Sequence, residues 1–579
     1  MTSREERNRN PANDLAASAA ESAGGADAAV GVNPLFGVGG GVAEVMSGFR
    51  EIGLEAITHP WSGVEPSSEF VDQVGRAWVG RSDAEPKRGD KRFADPTWRD
   101  NPFYRAWMQS YLAWSDALER FVDKSGLDAN NAQRARFALS LVTDAFAPTN
   151  VWLGNPAALK KFVETGGVSA IHGFENMLDD IAHNRGMPAQ VDKSKFEVGK
   201  NLALTPGAVV FRNPVLELIQ YAPPTEQVYE RPLLLVPPQI NKFYILDLAP
   251  GRSLVEYLVQ QGIQTFVLSW RNPTPTERDW GLETYLRSML EASAAVREIT
   301  GGPDLNILGT CSGGITTALL LGHLAARADR QVNAATLMVT VLDTAAESQL
   351  GLFASRETIE AARQASREKG VLEGQELAQV FAWLRPNDLV WNYWVNNYLL
   401  GDSPPVFDIL YWNNDTTNLP ARLHSDFLDL YLENPLAKHG TLELLGTPID
   451  LARVNLDTII LAGITDHITP WKACYATTQM LGGQCEFMLS SAGHIQSILN
   501  PPGNPKAKFF RNSHVRADAD QWLAGAEQQT GSWWEHWRDW LHERSGQLRP
   551  APKTLGSQRH RAGAKAPGTY VIEERGAQR

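Results

Sequence analysis

The sequence predicts an α/β fold: a mostly parallel sheet covered by helices on both faces, preceded by a helical N-terminal domain and carrying a helical cap insertion. Three observations lead there. From about residue 200, short apolar runs alternate with helical patterns, as in sheets built from β-α-β units. Within that alternation, the run Leu305-Asn306-Ile307-Leu308 meets a tight turn, Gly309-Thr310-Cys311-Ser312-Gly313-Gly314, and then a long apolar, Ala-rich helix. After the buried run Ala335 to Leu342, the next strand is postponed until Thr458.

The whole chain sets bounds. It has 579 residues, 43% hydrophobic and 21% charged, so it is globular and long enough for two or more domains. A net charge of −12 and the lack of a basic block argue against nucleic-acid binding. Three cysteines are no disulfide framework and suit a reducing cytoplasm. The start, Met1-Thr2-Ser3-Arg4-Glu5-Glu6-Arg7, lacks the apolar core of a secretory signal. No run approaches the roughly 18 apolar residues of a spanning helix. A soluble, intracellular protein is expected.

The elements follow in order. Residues 1–40, rich in Ala, Gly, Ser and Asn, have little to bury and read as a mobile tail. Residues 41–195 read as a helical domain, with Trp107, Tyr111, Trp114 and Leu118 spaced by three or four as an ordinary helical core. Asn101 is expected to cap a helix that has Pro102 in its first turn. Residues 196–579 read as the catalytic domain. Its strands are expected at Ala208–Phe211, Val215–Ile219, Pro232–Val236, Thr265–Ser269, Ala335–Leu342, Asp457–Gly463 and Cys485–Leu489. Helices are expected at Leu254–Gln261 and Leu282–Ile299. The insertion, about 345–450, is helical and aromatic, and in this position is expected to cap the site. Near the end, Trp533, Trp537 and Trp540 form a helical stripe expected to pack on the body.

The chemistry centres on Cys311. A Gly-x-Cys-x-Gly turn between strand and helix describes a nucleophile elbow, in which glycines allow the sharp corner and the helix N-terminus favours a thiolate. Alone the motif is weak, because many buried cysteines are inert. Order strengthens it. α/β-hydrolases place nucleophile, acid and His in that sequence, and Asp466 and His494 each fall just past a late strand. The expected fold is therefore an α/β-hydrolase fold with a Cys311/Asp466/His494 triad. Oxyanion donors are expected from the backbone N–H of Ser312 and, from the loop Pro237-Pro238-Gln239-Ile240-Asn241, that of Ile240. His467 is taken as a neighbour without a catalytic role, and Cys474 and Cys485 as packing residues. A thiol exchanges with an acyl thioester at nearly equal free energy, so cysteine points to acyl transfer from CoA or a carrier.

Gly309-x-Cys311-x-Gly313-Gly314, Asn241-Lys242-Phe243-Tyr244-Ile245-Leu246-Asp247-Leu248, Leu384-Arg385-Pro386-Asn387-Asp388, Tyr411-Trp412-Asn413, Gly493-His494 and Gly531-Ser532-Trp533-Trp534 together resemble the polyhydroxyalkanoate synthases. The resemblance implies polymerisation of (R)-3-hydroxyacyl-CoA into storage polyester on cytoplasmic granules. It makes Cys311 the acyl carrier, His494 the base for thiol and substrate hydroxyl, and Asp466 its partner. It also implies a homodimer without a second type of subunit, and no metal or cofactor beyond the CoA thioester substrate. Tyr411-Trp412-Asn413-Asn414-Asp415, the run from His494 to Pro505, and Thr310 and Ser312 look most like the medium-chain type; short-chain or mixed preference stays open. The competing readings are a cysteine hydrolase resembling dienelactone hydrolases, or a thioesterase, and a non-catalytic granule-surface protein.

Overall fold

The computed structural model describes residues 64–87, 89–345, 356–384 and 386–573. The expected tail, the first part of the helical domain, residues 346–355 of the insertion and Arg385 lie outside the described residues.

The N-terminal region is helical. Helix α1 (Val64–Trp78) lies along α2 (Pro102–Lys124), and Asn101 caps α2 by accepting from the Phe103 and Tyr104 N–H groups, with Pro102 in the first turn. The buried face of α2 includes Ala106, Gln109, Ala113 and Ala117. Trp107 and Trp114 are only half-buried and line an open groove with Tyr111, Val142 and Phe146. Tyr111, by contrast, is buried with Phe93 and Trp98 in the core of this region. Helices α3 (Ala129–Ala145), α4 (Pro156–Glu164) and α5 (Val168–His183) complete the region.

The body is a ten-stranded sheet among the described residues. Its strands are β1 (Gly207–Arg212), β2 (Leu216–Tyr221), β3 (Leu233–Val236), β4 (Thr265–Trp270), β5 (Leu305–Thr310), β6 (Val332–Met338), β7 (Asp457–Gly463), β8 (Cys485–Ser490), β9 (Lys508–Arg511) and β10 (Glu527–Thr530). They lie in the order β1-β2-β4-β3-β5-β6-β7-β8-β9-β10. From β4 to β8 all neighbours are parallel; the outer pairs are antiparallel. Alternate side chains enter different cores: Leu234, Phe266, Ile307 and Ile460 on one face, Leu233, Val267, Leu308 and Ile459 on the other. That is the strand period of two with both faces covered.

Helix α6 (Leu254–Gln260) covers one face, and α7 (Leu282–Thr300) and α8 (Ser312–Ala326) cover the other. Two differences from the sequence reading stand out. Strand β6 ends at Met338 rather than Leu342, because Val339 turns to φ 45° and gives its N–H to the Leu461 carbonyl. Strands β9 and β10 were not expected: β10 is polar throughout, and in β9 the pair Phe509-Phe510 is too short an apolar run to stand out.

The described part of the insertion begins with α9 (Arg356–Lys369) and α10 (Gly374–Leu384), continues through widened π-type turns at Asn387–Trp391 and Trp394–Leu399, and then forms α11 (Asp408–Asn414) and α12 (Ala421–Glu433). Its aromatic middle docks on the N-terminal helices: Tyr398 donates to Asp180 at 2.8 Å, and Trp394 Nε1 to the Asn150 carbonyl at 3.0 Å. Its later part packs on the body, where Ile449 meets α8 beside Gly322. After α13 (Trp471–Met480) and α14 (His494–Ile498) comes α15 (Trp533–Arg544), and the described residues continue beyond it to 573. Trp533, Trp534 and Trp537 of α15 are fully buried. Among the described residues, no helix is long and apolar enough to cross a membrane.

Candidate active site

Strand β5 delivers Cys311 to a corner where its backbone takes φ 51° and ψ −122°. A residue with a Cβ is strained there, and the Cys311 N–H, bonded to the Met338 carbonyl at 2.9 Å, helps hold it. The glycines answer to space. A Cβ at Gly313 would lie 2.4 Å from the Val236 carbonyl oxygen, and one at Gly314 1.9 Å from Thr340 Oγ1. Only bare backbone lets α8 start so close to β3 and β6. Cys311 therefore sits at the positive end of α8.

The acid and the imidazole come from the ends of the next strands. Asp466, in the loop after β7, has a fully buried carboxylate. Its Oδ1 accepts from the Ile468 and Thr469 N–H groups at 2.9 and 3.0 Å, the Asx pattern of a turn. Its Oδ2 accepts the Thr469 hydroxyl at 2.6 Å and lies 2.7 Å from His494 Nδ1. Burial opposes ionisation of Asp466, but the His494 charge and these donors hold its pKa below the usual carboxylate range. His494 opens α14 after Gly493. Burial works against its charge; the Asp466 carboxylate outweighs burial, a hydrogen bond with Cys311 adds to it, and the pKa rises to about 10.

Cys311 and His494 line one cavity of about 50 Å³, room for a few waters. Ile240 and Thr310 of the body line it, and Leu377 and Trp412 of the insertion line it from the other side. The structure thus brings Cys311, Asp466 and His494 together, with Ser312 at the first position of α8 and Ile240 on the loop after β3. Among the described residues, neither the Ser312 nor the Ile240 N–H has a backbone or side-chain acceptor. Two polar groups steady this corner: Gln239 gives its N–H to Ser312 Oγ at 3.2 Å and its Nε2 to Thr316 Oγ1 at 3.0 Å.

Sequence reasoning missed Thr469, although Asp-x-x-Thr before Pro470 was a legible Asx-turn signal. It also missed what Cys474 does. That thiol is fully buried, its pKa pushed up by desolvation, and its Sγ lies 3.5 Å from the Thr469 carbonyl, bracing the acid loop from behind. Cys485 is half-buried on β8, its thiol raised by burial to about 11. His467 is half-buried and stands outside the Asp466–His494 pair.

Sheet order, elbow, and acid and imidazole at successive strand ends define an enzyme of the α/β-hydrolase fold. Residues 232–501 match the alpha/beta hydrolase fold family, and residues 89–258 match the family described as Poly-beta-hydroxybutyrate polymerase (PhaC) N-terminus. The chain is 51% identical to poly(3-hydroxyalkanoate) polymerase 1 of Ectopseudomonas oleovorans, over 94% of this chain and 97% of that one. It is 49% identical to polymerase 2 of the same organism, over 93% and 96%. Identity to the polymerase subunit PhaC of Cupriavidus necator is 42%, over 85% and 84%. The chain belongs to the poly(3-hydroxyalkanoate) polymerase family, as the sequence resemblance implied.

Proposed function

We propose that this protein polymerises (R)-3-hydroxyacyl-CoA, of medium chain length, into polyester through a thioester on Cys311. One observation carries the reading: a cysteine occupies the elbow, beside a buried Asp466–His494 pair, in a cavity roofed by apolar residues.

His494 takes the thiol proton, and the Cys311 thiolate attacks the substrate's thioester carbonyl. The Ser312 and Ile240 N–H groups receive the oxyanion. Collapse breaks the bond to CoA sulfur, and the imidazolium returns the proton to the departing thiolate. In the second half, His494 takes the proton of a 3-hydroxyl group. That oxygen attacks the Cys311 thioester, an ester forms, and the Cys311 sulfur is released and reprotonated. Asp466 keeps Nδ1 protonated and stabilises the imidazolium throughout. The first exchange is nearly isoenergetic, so the acyl group stays poised for transfer. No cofactor or metal is needed for these steps. A small cavity lined largely by apolar residues supports polymerisation over hydrolysis by keeping water few.

The resemblance carries two further readings. The enzyme works in the cytoplasm at the surface of polyester granules, and it acts as a homodimer. The granule reading is supported by α5, where Ile171, Phe174, Leu178 and Ile181 fall on one face and are each about half exposed or more. Light scattering of the purified protein should give the mass of two chains.

The test is to feed purified protein (R)-3-hydroxydecanoyl-CoA and (R)-3-hydroxybutyryl-CoA and follow released CoA and acyl products. Insoluble polyester from the longer substrate, absent in Cys311→Ala, is expected. Free hydroxy acid as the only product would make the protein a thioesterase instead.

A further inference from the structure

Two motifs from the sequence have no part in the triad: Asn241 to Leu248, after the oxyanion loop, and Tyr411 to Asp415, in the insertion. The structure places them against each other. Trp412 Nε1 donates to the Lys242 carbonyl at 2.7 Å. Asp415 lies 2.9 Å from Lys242 Nζ through one oxygen and accepts the Tyr244 hydroxyl at 2.9 Å through the other. Just beyond, the Thr417 N–H donates to the Ile240 carbonyl at 3.2 Å, and Asn241 forms an antiparallel bridge with Thr416.

The Ile240 peptide therefore lies between two anchors. On its N-terminal side, Gln239 is tied to α8 through Ser312 and Thr316, and Trp270 Nε1 holds the Pro237 carbonyl at 2.8 Å. On its C-terminal side, all the contacts just named come from the insertion, and Lys242 Nζ also donates to the Val571 carbonyl at 2.6 Å. Asp415 is where that side is gripped. Its carboxylate holds two residues at once, and both Lys242 and Asp415 are mostly shielded, with side chains 15% and 24% exposed. A charge-assisted pair so shielded is stronger than one at the surface.

Resting on the polymerase reading above, the geometry points to Asp415 as a positioning residue: through Lys242 and Tyr244 it clasps the cap to the oxyanion loop, so the Ile240 donor is set only while the cap is seated. The consequence is a logical coupling. Acyl transfer is supported in the closed site, and when the cap lifts to admit substrate the hole loses one of its two donors, so exposed thioester is a poor target for water.

The test uses the full-length protein with Asp415→Ala and Tyr244→Phe, and reads two rates on each. One is CoA release from (R)-3-hydroxydecanoyl-CoA. The other is alkylation of Cys311 by iodoacetamide, a reaction that needs the thiol but no oxyanion hole. For Asp415→Ala, kcat for CoA release should fall about tenfold to a hundredfold, up to what removal of one donor costs, with KM within a few-fold of wild type. Alkylation should become faster, since a loosened cap opens the site. Tyr244→Phe should shift both rates the same ways by less, and it decides the matter if Asp415→Ala does not fold. CoA release within twofold of wild type in the folded variants overturns the clasp, as does alkylation that slows in step with CoA release. Failure of the polymerase reading would show separately, as wild-type protein that releases no CoA.

Discussion

At the scale of single residues, the Asp466–His494 pair decides most. Asp466→Asn keeps the size of the side chain but lets His494 Nδ1 lose its fixed proton. CoA release should fall by about 10³–10⁴-fold, as when the acid of a serine triad is changed in this way; a twofold loss would assign the role to another acid. The pair also sets a pH profile for stability. His494 is raised in the folded state, so its contribution is complete below the unfolded imidazole value, about 6.5, and fades as pH climbs toward about 10. Asp466 is lowered, so its contribution is complete above the unfolded carboxylate value, about 3.9, and fades below it. The gap in Tm between wild type and His494→Gln should therefore be widest between those two values and narrow on either side. A gap that grows up to pH 9 would contradict it. Cys311, Asp466 and His494 were legible because chemistry and chain order restrict them. Thr469 and Gln239 were not singled out, since their value lies in which oxygen they reach, and that is settled only by folding.

At the scale of elements, the elbow is a packing problem before it is a catalytic one. Gly314→Ala would press a methyl group into the Thr340 side chain, which is bonded to the Met338 carbonyl at 2.9 Å. The expected loss is about 1–3 kcal/mol, read by chemical denaturation; an unchanged midpoint would mean that β6 gives way freely. The strands that carry the site were visible as buried apolar runs, because a sheet covered on both faces needs them. The sequence reading overran β6, since Thr340, Val341 and Leu342 look equally apolar on average and only the backbone reversal at Val339 ends the strand. The short strand β9 and the polar edge strand β10 left no such trace. The insertion was legible as a delay in the strand pattern, but its division between roof, N-terminal dock and body packing depends on partners far away in sequence.

At the scale of the whole molecule, the N-terminal helices and the cap form one contact system, with α5 between them: Gly173 packs directly on the Tyr398 backbone, while the opposite apolar face of α5 looks outward. Phe174→Glu with Leu178→Glu should lower co-sedimentation with preformed polyester several-fold while leaving CoA release from soluble substrate near wild type. Equal sedimentation would place granule contact elsewhere. The small cavity over Cys311 has a last consequence, for survival rather than turnover. Its small size favours small oxidants: hydrogen peroxide, not much larger than water, fits the space, whereas glutathione disulfide, like the acyl-CoA substrate, needs the cap to move aside. At rest the sulfur is therefore oxidised by peroxide more readily than it gains the reversible glutathione cap that commonly protects such thiols. The working life of the enzyme under peroxide then depends on how much of the time Cys311 is held as an acyl thioester, so a well-fed enzyme should outlast a starved one.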